Sequence, residues 1–85
     1  MEIHEIKTVI NAIKDDLRAK YSIDWLDYTL KYSVENKGFY KCEAYMSYNG
    51  GIKSDYVYLR VDTNADMVKK AFELLVKSVL CEVKR

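Results

Sequence analysis

Residues 26–48 read LDYTLKYSVENKGFYKCEAYMSY, and their pattern sets the architecture of the chain. Apolar and polar side chains alternate from Leu26 to Glu35, which is the period of a half-buried β-strand. A three-residue hairpin loop, Asn36-Lys37-Gly38, follows this strand, because Gly38 can adopt the left-handed conformation that such loops require. A second strand is predicted over Phe39–Tyr48, so the whole stretch forms an antiparallel hairpin.

A third strand and two flanking helices complete the predicted order α-β-β-β-α. Apolar residues recur at helical spacing in two segments, which predicts helices over residues 3–20 and about 65–83. The third strand is predicted from about Lys53 to Val61, after a turn at Asn49-Gly50-Gly51. Thr63 with Asp66 approximates a capping box before the second helix. Both helices must cover the core face of the sheet, so we expect a two-layer α+β fold: a three-stranded antiparallel meander with two helices packed on one face.

The two hairpin turns also predict how the strands pair. Pairing around the first loop sets Lys31 opposite Glu43, and pairing around the second sets Tyr45 opposite Tyr56, both on the outer face. A shift of one residue would exchange the inner and outer faces. On the core side, the same registers predict the pairs Leu30–Ala44, Tyr32–Cys42, Ala44–Val57 and Cys42–Leu59.

Charge is dense but nearly balanced. Lys and Arg number 14 and Asp and Glu 13, which gives a formal net charge of +1. A protein that binds polyanions normally concentrates its basic residues on one face, so this balance argues against nucleic acid as the first choice of partner. The length of 85 residues suits a single α+β domain spanning residues 1–85.

The cysteines and the N-terminal segment indicate a cytoplasmic protein. Cys42 and Cys81 show no CxxC spacing and no signal peptide precedes them, a usage typical of a reducing compartment. No stretch approaches the ~18 apolar residues that a membrane helix needs. We therefore expect a soluble, cytoplasmic protein.

Side chains suited to catalysis or metal binding are scarce. The imidazole and thiol groups, at His4, Cys42 and Cys81, lie on three different predicted elements, whereas a zinc site needs three or four converging ligands. A serine or cysteine nucleophile needs a base, and His4 lies in a first helical turn, where helix ends fray. Both cysteines fall on predicted inward faces and are interpreted as small buried apolar residues. We predict no catalytic residues, no metal and no cofactor.

Aromatic side chains are concentrated on the outer face of the predicted sheet. Exposed aromatic residues beside arginine on a rigid sheet are typical of protein-interaction hot spots. Tyrosine is also a good strand former, so the same residues have a purely structural interpretation. The candidate partner-binding residues are Phe39, Tyr45, Tyr56, Tyr58, Lys31, Lys41 and Arg60.

These observations predict a small non-catalytic protein-binding module. The basic residues of the outer face are balanced there by Asp27, Glu35 and Glu43, and a mixed aromatic surface suits a protein partner better than a phosphate backbone. Stand-alone modulators encoded by phages or mobile elements are often similarly small and near neutral. By that analogy, the chain would inhibit or modulate a host protein, such as a nuclease, by covering one of its functional surfaces.

The element order resembles that of the double-stranded RNA-binding domain. Lys69 and Lys70 lie early in the predicted second helix, where that family places lysines against phosphates. The sequence departs from the family in the first hairpin loop, where Asn36-Lys37-Gly38-Phe39 stands in place of a Gly-Pro-x-His type sequence, and at Asp62 and Asp66, which are acidic where the family is basic. The resemblance implies an alternative function, nucleic-acid binding, with contacts at Lys37, Lys69 and Lys70.

A third alternative is a homodimeric structural subunit. The meander leaves its first and third strands as sheet edges, and Tyr56–Val61 has few residues that block edge pairing apart from Arg60. Pairing of such an edge with its own copy would give a particle of twice the 10.0 kDa chain mass.

Overall fold

The structure is a computed structural model and describes residues 1–48 and 50–83. The three strands form one antiparallel sheet in the order β1-β2-β3, and the two helices pack against it and against each other. The predicted α+β class and element order are confirmed. The elements are α1 (Ile3–Lys20), β1 (Trp25–Tyr32), β2 (Phe39–Tyr48), β3 (Gly51–Arg60) and α2 (Ala65–Val83).

A polar side chain accepts a free backbone N–H at the start of each helix. The Glu2 N–H donates to the Glu5 carboxylate at 2.9 Å at the start of α1. At the start of α2, Asn64 Oδ1 accepts the Met67 N–H at 3.0 Å. The capping residue is therefore Asn64 rather than Thr63 of the approximate capping box. Within the described residues, neither helix is long and apolar enough to cross a membrane.

The β1–β2 pairing differs from the predicted register by two residues. β1 ends at Tyr32, and the Ser33 N–H donates to the Phe39 carbonyl at 2.9 Å, which leaves residues 34–38 as the loop. The loop is held by the Asn36 N–H, which donates to Ser33 Oγ at 3.0 Å, and by Gly38 at φ 84°. Val34, predicted to continue the inward face of the strand, is 92% exposed because the chain has already left the sheet.

The β2–β3 pairing is shifted by two residues as well. Tyr48 pairs with Gly51, and Gly50, at φ 80°, precedes β3 in the turn. Asn49, predicted to belong to this turn, lies outside the described residues. All predicted cross-strand pairs are therefore wrong, but the inner and outer faces are right, because an even shift preserves them. The observed core-side pairs are Tyr28–Ala44, Leu30–Cys42, Tyr32–Tyr40, Ala44–Asp55, Cys42–Val57 and Tyr40–Leu59.

The core lies between the helices and the inner face of the sheet. The ring of Phe72 in α2 is fully buried and meets Tyr28 edge-on, with centroids 5.8 Å apart. The largest other fully buried side chains are Ile6, Ile10, Cys42, Met46, Val68, Val76 and Val79.

Leu74 and Cys81 of α2 are exposed, although Leu74 is apolar and Cys81 was predicted to face inward. Each lies two residues from a fully buried position, Val76 and Val79 respectively. Two residues along a helix correspond to a rotation of about 200°, so both side chains lie outside the buried stripe. The buried stripe of α2 is narrower than its apolar content suggested.

Candidate interaction surface on the uncovered sheet face

The outer face of the sheet is the side that neither helix covers. Its residues alternate along each strand with buried ones such as Leu26, Cys42 and Leu59. The strand registers arrange it in rows that cross the sheet. From one end to the other, the rows are Trp25–Ser47–Ile52, Asp27–Tyr45–Ser54, Thr29–Glu43–Tyr56, Lys31–Lys41–Tyr58 and Phe39–Arg60.

Three rings form an aromatic cluster on this face: Phe39, Tyr56 and Tyr58. The centroids of Tyr56 and Tyr58 are 5.6 Å apart and those of Phe39 and Tyr58 are 6.4 Å apart, both in edge-on geometry. Such aromatic pairs contribute about 0.5–1.5 kcal/mol each beyond the area they bury. Tyr56 is still 51% exposed, so about half of this side chain remains accessible to a partner although the rings of the cluster contact one another.

Basic residues gather at the same end of the outer face. The ammonium nitrogen of Lys41 lies 4.5 Å from the centroid of the Tyr56 ring. Lys31 is exposed and pairs directly with Lys41, where the sequence predicted Glu43. Like charges directly opposite each other on a sheet are unfavourable. The observed register therefore creates a local positive site that the predicted register would have neutralised.

Arg60 and Tyr58 each have an acidic neighbour outside the sheet. Arg60 Nε donates to Asp62 Oδ1 at 3.0 Å, with both side chains largely exposed. The Tyr58 hydroxyl lies 3.5 Å from Glu35 Oε2, at the limit of a hydrogen bond. Both acidic residues follow strand ends, so they border the aromatic cluster without covering it.

Tyr45 lies outside the aromatic cluster. It pairs with Asp27 on one side and Ser54 on the other, and Glu43 takes the predicted place opposite Tyr56. Tyr45 is half-buried among these neighbours. The structure thus brings together Phe39, Tyr56, Tyr58 and Lys41 among the predicted residues, and places Tyr45 in an adjacent row.

Sequence reasoning missed two exposed residues at the other end of this face, Trp25 and Ile52. Trp25 is 47% exposed and Ile52 is 71% exposed, and both pair with Ser47 of β2. Extending the β1 alternation back by one residue would have assigned Trp25 to the outer face with Asp27. Ile52 was not identified because the third strand was predicted to begin at about Lys53, two residues after its observed start at Gly51.

The side chains suited to chemistry remain apart or exposed. Cys42 is buried, as predicted, and desolvation raises the pKa of its thiol to about 12. Glu2, His4 and Glu5 lie within ligand distance of one another at the start of α1, all exposed. Glu5 already accepts the Glu2 N–H, and Glu2 Oε2 lies 3.4 Å from His4 Nδ1. The hydrogen bonding at the start of α1 therefore accounts for the closeness of these three side chains.

The lysines implied by the RNA-binding resemblance lie elsewhere. Lys69 and Lys70 line a groove between the helices, on the opposite side of the sheet from the outer face. The same groove contains Asp16 and Glu73, so its charge is mixed. Lys37 is exposed in the β1–β2 loop. The groove that Lys69 and Lys70 line is therefore not uniformly basic.

No protein-family model matches the chain, and no curated protein or solved structure matches it at a significant level.

Proposed function

We propose that this chain is a non-catalytic protein-binding module that uses the outer face of its sheet. The observation that carries the proposal is the uncovered face itself, which bears the aromatic cluster at one end and the exposed Trp25 and Ile52 at the other. Apolar side chains on the uncovered side of a rigid sheet favour association, because burying them against a partner releases water at little cost in conformational entropy.

The charges on this face favour a protein over a nucleic acid. Lys31, Lys41 and Arg60 share the surface and its borders with Asp27, Glu35, Glu43 and Asp62. A phosphate backbone would be repelled by those carboxylates, whereas a protein surface can present a charge of either sign.

The register indicates what the partner must supply. A carboxylate of the partner beside the exposed Lys31 would offset the positive charge of the two opposing lysines, and an apolar side chain would pack against the exposed part of Tyr56. We therefore expect an apolar partner surface with an acidic residue near its centre. Such a module would act as a modulator by covering a functional surface of a larger protein; a phage origin and a nuclease target remain predictions.

The experiment is a comparative pull-down from bacterial lysate, with and without nuclease and at low and high salt. Three tagged proteins are compared: the wild type, a triple alanine variant at Tyr45, Tyr56 and Arg60, and a control. The control is Tyr32→Ala, because Tyr32 is an equally exposed tyrosine outside the outer face. Circular dichroism checks that all three proteins are folded.

The proposal predicts a stoichiometric protein that is captured by the wild type and by Tyr32→Ala but lost from the triple variant. Capture by the folded triple variant at the wild-type level would contradict it. Recovery of nucleic acid alone, abolished by charge reversal at Lys37, Lys69 and Lys70 and weakened steeply by salt, would replace it with the RNA-binding alternative.

A further inference from the structure

The free edge of β3 directs backbone N–H and C=O groups away from the sheet at every second residue. The Val61 N–H donates to the Gly38 carbonyl at 3.0 Å, which fixes the alternation of the β2–β3 ladder. Odd-numbered residues of β3 therefore direct their N–H and C=O groups toward β2, and even-numbered ones direct them outward. The outward groups belong to Ile52, Ser54, Tyr56, Tyr58 and Arg60.

Exposed apolar side chains accompany this edge. Ile52 is 71% exposed on the outer face, and Leu74 of α2 is 64% exposed on the helix side. Leu74 borders a groove between α2 and the edge, with Val57, Ala71 and Leu75 in its lining. The edge thus offers hydrogen-bonding groups flanked by apolar surface on both faces, the arrangement to which an additional strand binds.

We propose that the occupant of this edge is β3 of a second copy, paired antiparallel about a twofold axis at Ser54. In this register Ile52 faces Tyr56 of the second copy on the outer face. On the helix side, Lys53 faces Asp55 of the second copy. Twofold symmetry repeats both contacts, so each dimer gains two apolar pairs and two pairs of opposite charge.

Neighbouring registers lack this complementarity. An axis at Asp55 would set that carboxylate against its own copy, which is repulsive. An axis at Tyr56 would set Ile52 against Arg60 and leave Lys53 opposite Leu59. Among these three axes, only the one at Ser54 pairs opposite charges on one face and apolar side chains on the other.

Asp55 is placed to change partners when the edges join. Its Oδ1 accepts the Tyr56 N–H at 2.8 Å and its Oδ2 accepts the Ser78 hydroxyl at 2.7 Å. In the dimer, the Tyr56 N–H instead donates to the Ile52 carbonyl of the second copy. Asp55 Oδ1 is then free for Lys53 of that copy, so no donor is lost.

The position of α2 suits the same axis. α2 contacts both β3 and β2, and its Ser78 bonds to Asp55, one residue from Ser54. Joining the two edges therefore brings the two copies of α2 next to each other on the same side of the sheet. Leu74 would then be covered by the second helix.

The other edge is less suited to pairing. The outward Tyr28 N–H of β1 is bonded to Asp27 Oδ1 at 2.8 Å, just as the Tyr56 N–H of β3 is bonded to Asp55, but at β1 Lys14 of α1 also reaches the carboxylate, at 3.8 Å. A charged side chain from α1 thus lies beside this edge, and charged residues at an edge oppose strand addition. The dimer therefore contains one open six-stranded sheet, with a β1 strand at each of its two edges.

Sedimentation equilibrium over a range of protein concentrations tests this inference, which does not rest on the proposed function. The wild type is expected to reach twice its 10.0 kDa mass. Ser54→Pro removes an outward N–H and should weaken dimerisation at least about tenfold while the monomer stays folded, since proline is tolerated at a sheet edge.

Charge exchange tests the register. Lys53→Glu alone should weaken the dimer by about tenfold, and adding Asp55→Lys should restore it, because the pairs are then reversed but still complementary. Circular dichroism verifies the fold of each variant. If the double variant does not fold, the dimerisation of Ser54→Pro and Lys53→Glu still tests the inference. A wild type that stays monomeric at the highest concentration would overturn the inference, as would a dimer that either variant leaves unchanged.

Discussion

Lys41 holds its ammonium nitrogen 4.5 Å from the centre of the Tyr56 ring, diagonally across two strands of the outer face. A cation over an exposed aromatic ring contributes roughly 0.5–1 kcal/mol, so this contact orients the ring more than it stabilises the fold. The ring of Tyr58 also contacts the ring of Tyr56, with the two centroids 5.6 Å apart. Tyr56 is therefore held in place and still half exposed, as an anchor for a partner should be.

The ring of Tyr56, and not its hydroxyl, should carry partner binding. Tyr56→Phe keeps the contacts with Lys41 and Tyr58, so we expect the affinity for the captured partner to stay within a few-fold of the wild type. Tyr56→Ala removes the anchor and should cost about 2 kcal/mol or more of binding free energy. Calorimetric titration of the two variants checks this, and equal affinities for the phenylalanine and alanine variants would argue against an aromatic anchor.

Trp25 should report occupation of the outer face. It is the single tryptophan of the chain and is 47% exposed there. A protein partner that covers the face should shift its fluorescence emission to shorter wavelength, because the indole leaves water. Dimerisation through β3 should leave the emission unchanged, since Trp25 lies on the opposite edge strand. An emission spectrum that does not change at saturating partner would exclude Trp25 from the interface.

The two cysteines should differ in reactivity. Cys81 is exposed, whereas Cys42 is buried and its pKa is raised from 9.0 to about 12 by desolvation. A thiol reagent should therefore label Cys81 quickly in the folded protein and Cys42 only after unfolding. Labelling followed by mass spectrometry checks the order, and equal rates at both sites would contradict the burial of Cys42.

The buried thiol also predicts how stability depends on alkaline pH. Between pH 9 and pH 12, the Cys42 thiol ionises in the unfolded chain but not in the folded one. The unfolded state then binds fewer protons, so the free energy of unfolding falls as pH rises through this window. Denaturant titrations should show a shallower fall for Cys42→Ala than for the Cys81→Ala control.

Glu73 should make a small contribution to the free energy of unfolding that depends on acidic pH. It accepts hydrogen bonds from Lys20 Nζ and the Tyr21 hydroxyl, both at 2.8 Å, and these bonds lower the pKa of its carboxyl. Its contribution is present above its unfolded pKa and is lost as pH falls through the lowered folded value. Glu73→Gln should remove this dependence with little change at neutral pH, because solvent screens the pair. Urea titrations at several acidic pH values measure the difference.

Periodicity predicted the helices well because each buries a stripe that repeats every three or four residues. The bounds of α1 and α2 agree with the predicted ones. The end of β1 could not be found in the same way, since the alternation continues through Val34 and Glu35 after pairing has stopped. What ends the strand is a local hydrogen bond from the Asn36 N–H to Ser33 Oγ.

The two-residue shift in both registers decided how well the candidate site was predicted. It preserved which residues face outward, so Phe39, Tyr56 and Tyr58 lie on the outer face as expected. It changed their neighbours, because opposing pairs depend on loop length and not on alternation. The Lys31–Lys41 pair is the consequence that matters most for the proposed partner, and no periodic pattern contains it.

Hydroxyl-radical footprinting of the chain with its captured partner tests the protein-binding proposal most directly, because tyrosines occur on both sides of the sheet. The account predicts protection of the outer-face residues Trp25, Tyr45, Tyr56 and Tyr58. It predicts unchanged labelling of three tyrosines outside the outer face, Tyr21, Tyr28 and Tyr32. Protection of that second group, with the outer face still labelled as in the free protein, would contradict it.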